Sequence, residues 1–108
     1  MIPSKVKIGY KNYTVELTDA PITVNGRECY GSIDYNDYII KINKTYKEDQ
    51  QKATFLHEVL HGISEMYMNS RLTEEDIELL GRGLYTFFVD NQEAVKNMFG
   101  GPRNDSAP

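Results

Sequence analysis

A chain of 108 residues, 40% hydrophobic and 26% charged, has room for one modest core and the balance of a globular domain rather than of a disordered or membrane protein. Its formal charge of -4, with Lys5, Lys7 and Lys11 scattered instead of gathered on one face, argues against a protein that binds phosphate backbones. No apolar run is long enough to span a bilayer and MIPSKVKIGY lacks the basic-then-apolar pattern of a secretory leader, so the expectation is a cytoplasmic protein with neither nucleic-acid nor membrane partners.

The first half reads as strands. Val6, Ile8 and Tyr10 alternate with polar residues, and Tyr13, Val15 and Leu17 do the same beyond the turn-like Lys11-Asn12, which predicts a hairpin. A looser stretch from Thr18 to Glu28 is punctuated by Pro21 and by the turn dipeptide Asn25-Gly26. The single Cys29 cannot close an internal disulfide and reads as a small buried hydrophobe, which fits a reducing compartment. Next, CYGSIDY and YIIKIN flank Asn36-Asp37, the length of a tight hairpin loop. The simplest account is four strands in one antiparallel sheet.

The second half reads as helices. Thr45 and Glu48 have capping-box spacing, ahead of a run without Gly or Pro until position 62. Ala53, Leu56, Val59, Leu60, Ile63 and Tyr67 recur at helical spacing as a core-facing stripe, and the helix is expected to end near Asn69-Ser70. Thr73 caps a second helix whose first turn is acidic and whose stripe is Ile77, Leu80, Leu84 and Phe88. Gly81 and Gly83 sit where close helix packing could use them. Asp90 and Glu93 offer a capping pair for a short final helix. The predicted fold is α+β, a small antiparallel sheet packed on two antiparallel helices, as one domain over residues 1–99 with a flexible tail GGPRNDSAP over 100–108.

Both histidines of the chain fall within TFLHEVLHGI, residues 54–63. Two positions four apart on a helix differ by only about 40° in direction, so His57 and His61 can address one metal ion. Glu58, next to the first histidine, stands where a carboxylate can take a proton from a metal-activated water and later return it to a leaving amine. With two histidines in this length, spacing of four arises by chance about once in fifty, and the Glu lowers that about twelvefold. A hydrolytic zinc site needs a third protein ligand and an open position. No third histidine exists, and Ser64 and Tyr67 stand where a metzincin has Gly and His, so the ligand has to be a carboxylate, expected from the second helix. If the two helices turn over near position 70, Glu78 faces His61; Glu74 is the alternative, about one turn nearer the loop. Glu75 and Asp76 are assigned to the helix N-terminus and solvent.

HEVLH followed by an acidic second helix resembles the gluzincin type of zinc metallopeptidase. The order of sheet, HExxH helix and TEEDIELLGRGLYTFFVDN, over about residues 31 to 91, is similar to the small ImmA/IrrE-like metallopeptidases of phages and mobile elements. The resemblance implies Zn²⁺ held by His57, His61 and Glu78, with Glu58 as base, and a protein or peptide substrate such as a phage or mobile-element regulator. Gluzincins add an Asp four residues after the carboxylate ligand; position 82 is Arg82, whereas Glu74 with Glu78 forms an acidic pair at that spacing. Arg82, Tyr85 and Tyr38 are the candidate donors to the transition-state oxyanion. In metallopeptidases of this kind an edge strand, here expected at Tyr38 to Asn43, binds extended peptide. Two other readings stand beside the enzyme: a zincin-fold module that grips a protein without cleaving it, and a metal-free accessory protein in which the histidines are structural.

Overall fold

Six strands and three helices follow one another in the computed structural model, which describes residues 1–101. β1 (Lys5–Ile8) and β2 (Lys11–Thr18) form an antiparallel hairpin. It turns at Gly9-Tyr10 rather than at Lys11-Asn12, because Gly9 supplies the positive φ of +62° that the reversal requires. Along β2 the alternation places Lys11, Tyr13 and Val15 inside and Asn12, Thr14 and Glu16 outside, while Leu17, expected inside, is exposed. The stretch expected to be loose contains its own hairpin, β3 (Ile22–Val24) and β4 (Arg27–Cys29), over Asn25-Gly26, where both residues have the positive φ that a tight two-residue turn needs. β5 (Gly31–Asp34) and β6 (Ile39–Asn43) pair antiparallel, and Asp34 Oδ1 fixes their turn by accepting from the backbone N–H of Asn36 and of Asp37, each at 2.9 Å. Those two bonds hold the Asp34 carboxyl below its ordinary range.

The larger sheet has the order β1-β2-β6-β5, and it is mixed rather than wholly antiparallel: β2 and β6 run parallel, Thr14 opposite Ile39 and Thr18 opposite Asn43. The chain from β2 to β6 is long enough for a crossover, and β6 takes the central place because Ile40 and Ile42 are fully buried. The strand expected at the edge is therefore an interior one. The two edges are β1 and β5.

α1 (Glu48–Tyr67) lies across this sheet, with Phe55, Val59, Ile63 and Met66 packed on the core of Ile8, Tyr13, Val15, Ile40 and Ile42. Of the expected stripe, Leu60 is buried and Val59 and Ile63 pack on the core, but the other buried positions are different ones. Thr54, Glu58, Leu60, Gly62 and Ser64 are buried, Ala53 and Leu56 only partly so, and Tyr67 is exposed. At position 62 the packing on the sheet leaves no room for a side chain: a Cβ at Gly62 would stand 2.7 Å from Ile8 Cδ1. The Thr45 and Glu48 capping box does not form, since the Thr45 hydroxyl donates to Asn43 Oδ1 at 2.6 Å and Lys47 occupies the cap position without a side-chain bond.

α2 (Glu74–Asp90) begins with the expected Thr73 cap, closed reciprocally by Asp76: Asp76 N–H donates to Thr73 Oγ1 and Thr73 N–H to Asp76 Oδ2, both at 3.0 Å. Of its predicted stripe only Ile77 is fully buried, and Leu80 and Phe88 remain exposed, because α2 packs against α1 and α3 rather than on the sheet. α3 (Gln92–Phe99) starts from Asn91 without a side-chain cap, so the Asp90 and Glu93 pair is not used. Among the described residues no helix is long and apolar enough to cross a membrane. Beyond Gly101, the tail expected over residues 100–108 lies outside the described residues.

A candidate metal centre between the two long helices

On α1 the pattern HEVLH sets His57 and His61 one turn apart, their ring centroids 4.9 Å from each other. What completes the site is the path of the loop after α1. Asn69 and Ser70, at φ +51° and +55°, reverse the chain. Ser64 O accepts from Met68 N–H and Ser70 N–H, each at 2.9 Å, and Ser64 Oγ accepts from Leu72 N–H at 3.2 Å. The loop thus doubles back along α1 until Leu72 is level with Ser64, and α2 opens beside the histidines.

Glu74, the first residue of α2, bridges them. Its Oε1 lies 2.7 Å from His57 Nε2 and its Oε2 2.8 Å from His61 Nε2. Glu78, expected to face His61, stands one turn farther along, with Oε2 3.3 Å from His57 Nδ1 and Oε1 accepting from Arg82 Nε at 3.2 Å. A count from a turnover at position 70 misses this because it leaves out the distance the loop travels backwards. The group that could hold a metal ion is therefore His57, His61 and Glu74, each offering an atom within 4.8 Å of the others.

The donor chemistry fits. Zinc ligands at about 2.0–2.2 Å in tetrahedral array stand about 3.4 Å from one another, so the Glu74 contacts of 2.7 and 2.8 Å would open by about 0.6–0.7 Å around an ion. Two imidazoles and one carboxylate leave a fourth position free, the pattern of hydrolytic sites. Burial keeps the His61 pKa low in spite of Glu74, which favours the neutral imidazole that a metal requires. The Glu78 carboxylate behind His57 Nδ1 holds that ring with Nε2 turned towards Glu74.

Glu58 is 6% exposed, and burial, reinforced by the charge of Glu74, pushes its carboxyl up to about 8. It is covered from the sheet by β5. A Cβ on Gly31 would stand 2.6 Å from Thr54 Cγ2, 2.8 Å from the Lys41 carbonyl oxygen and 3.5 Å from Glu58 Cγ, so only glycine lets the strand approach the helix here.

The histidines and Glu58 open into a cleft of about 1010 Å³ between α1 and α2 on one side and β4 and β5 on the other. Arg82 and Tyr85 line it, as the sequence suggested. Tyr38 does not: its ring packs on Tyr13 with centroids 5.6 Å apart, and the Lys11 ammonium lies 5.2 Å above it. From the sheet side, Tyr30 and Tyr35 reach the cleft instead. Strand parity could not tell Tyr35 from Tyr38, since Gly31 lies opposite Ile42 and Ile33 opposite Ile40, so both alternations name the α1 side of the sheet. Burial, and then the charge of Glu58, raise the Tyr35 pKa, so its hydroxyl keeps the proton as a donor. Lys11 anchors this corner by donating to the Tyr35 carbonyl at 3.1 Å and to Glu65 Oε1 of α1 at 3.0 Å. Compared with protein-family models, with curated proteins and with solved structures, the chain matches none, and its function has to be read from these residues.

Proposed function

We propose that the chain is a small zinc-dependent metallopeptidase of the HExxH type, with His57, His61 and Glu74 as metal ligands and Glu58 as general base. The observation that carries this reading is the convergence of both histidine Nε2 atoms on one carboxylate, with a buried glutamate next to the first histidine at a cleft. A bound divalent cation supplies Lewis acidity to the scissile carbonyl and to the attacking water. Glu58 takes the proton of that water and returns it to the departing amine. Burial keeps Glu58 protonated in the metal-free chain, and a positive charge held by His57, His61 and Glu74 would favour its ionised form as a base.

Around these two acts the other side chains orient and donate. Glu78, itself held by Arg82, fixes the His57 ring. Tyr35 and Tyr85 offer hydroxyl donors to charge that develops on the carbonyl oxygen. β5 is the edge strand that lines the cleft, so an extended peptide can add to it by main-chain hydrogen bonding. The likeness of HEVLH and its acidic second helix to the ImmA/IrrE-like peptidases supports a protein substrate, a phage or mobile-element regulator being the class that likeness suggests.

The test is metal content by mass spectrometry together with cleavage of a peptide library. One zinc per chain is expected in the unmodified protein, none in His61→Ala or Glu74→Ala, and binding weakened about 10–100-fold in Glu78→Ala. Glu58→Gln should keep the metal and lose turnover. Zinc retained by Glu74→Ala, or cleavage retained by Glu58→Gln, would remove that residue from its role.

A further inference from the structure

The outer side of α2 is a second feature of the molecule, separate from the cleft. Leu79, Leu80 and Phe87 are 57%, 45% and 53% exposed there. At about 100° per residue they fall, with Gly83, within roughly one quadrant that points away from Glu74 and Glu78. A Cβ on Gly83 would meet nothing within 4 Å, so no contact among the described residues asks for glycine, although glycine weakens an exposed helix interior. Between the two leucines and Phe87 it leaves a shallow saddle into which a second helix can settle closely.

Charge decides what fills the saddle. Residues 74–99 hold six carboxylates against Arg82 and Lys96, a net charge of -4 that equals that of the whole chain. Asp76 and Asp90 lie seven residues to either side of Gly83, almost in line with it along the helix, and both are exposed. A second copy docked here antiparallel would set Asp76 against Asp90, and docked parallel would set each against itself. Like charges meet in either orientation. Residues 102–108, PRNDSAP, carry no large apolar side chain.

We infer that the outer face of α2 docks an amphipathic helix of a partner protein, one with an apolar stripe between two basic residues about 14 positions, or about 21 Å, apart. Its apolar stripe covers Leu79, Leu80, Gly83 and Phe87, and its basic ends meet Asp76 and Asp90. The cleft lies on the other side of α2, so this docking holds whether or not the centre hydrolyses peptides.

The experiment is fluorescence anisotropy of a labelled 20-residue helical Leu/Ala peptide bearing Lys at two positions 14 apart, titrated with the full chain at low salt, beside the same peptide with Glu at those positions. The Lys peptide should bind at least tenfold more tightly than the Glu peptide. Phe87→Ser should weaken it at least tenfold with an unchanged circular dichroism spectrum, and Asp90→Lys should narrow the preference for Lys over Glu. Equal binding of the two peptides, no binding of the Lys peptide, or indifference to both substitutions overturns the inference. So does a dimer in sedimentation equilibrium that Phe87→Ser dissolves, which would assign the face to a second copy.

Discussion

Glu58 is a carboxyl held in a buried place, and the cost of ionising it there is measurable. Burial raises its carboxyl from the ordinary 4.5 to about 8, so the folded chain holds a proton that the unfolded chain releases. The stability this contributes is complete below pH 4.5 and is lost as pH rises through about 8, at about 1.4 kcal/mol per pH unit and about 5 kcal/mol in all. His61 shifts in the opposite direction and acts at lower pH, so the window from pH 7 to 9 isolates Glu58. Chelator-treated protein should show a falling melting temperature across that window, and Glu58→Gln should flatten the fall. An unchanged slope in the variant would place the titration elsewhere. A neighbouring residue makes the companion prediction. Gly31→Ala should destabilise the protein by about 1–3 kcal/mol in denaturant titration, because its Cβ meets the Lys41 backbone oxygen, which cannot rotate away as a side chain could. A loss below about 0.5 kcal/mol would mean that β5 moves freely off α1.

At the scale of elements, what could be read from the sequence was what is encoded locally. HEVLH lies within two turns of one helix, so its geometry follows from helical pitch and survives every larger rearrangement. The Thr73 cap and the Asn25-Gly26 turn are likewise decided by residues within three of each other. The parallel pairing of β2 with β6 was not legible, because alternation tells which side chains face inward and says nothing about which strand lies alongside. The third ligand fell between these cases. Acidic residues on the second helix were plain, but the choice of Glu74 over Glu78 depends on a loop path set by Ser64, which receives three backbone N–H groups. Ser64→Ala removes the hydroxyl that holds Leu72 and should cost about 1 kcal/mol in stability. It should also weaken zinc binding more than that loss of stability explains, since Glu74 would no longer be delivered to the histidines. Isothermal titration of the variant with zinc reads this directly, and wild-type affinity would show that the loop path does not depend on the Ser64 hydroxyl.

Over the whole molecule, two halves meet at α1. The sheet with α1 carries most of the buried core, including Tyr13, Ile40 and Ile42, whereas α2 and α3 contribute only Ile77 to the fully buried set. An arm so lightly packed opens at lower free energy than the sheet, because few apolar contacts are lost when it does. His57 and His61 belong to the core half and Glu74 to the arm, so an ion held by all three is also a clasp between the halves. A ligand that binds only the closed form stabilises it by RT ln(1 + [L]/Kd), about 4 kcal/mol at a thousandfold excess over Kd. Amide hydrogen exchange should therefore show α2 exchanging well before β2 and β6 in chelator. Saturating zinc should slow α2 by up to about a thousandfold, while the strands, which exchange through global opening, gain no more than the same free energy. Glu74→Gln should abolish the α2 protection and leave metal-free exchange of the strands unchanged. Zinc that protects the strands but not α2 would mean that the ion is held within α1 alone, and that the arm stays closed through its own packing.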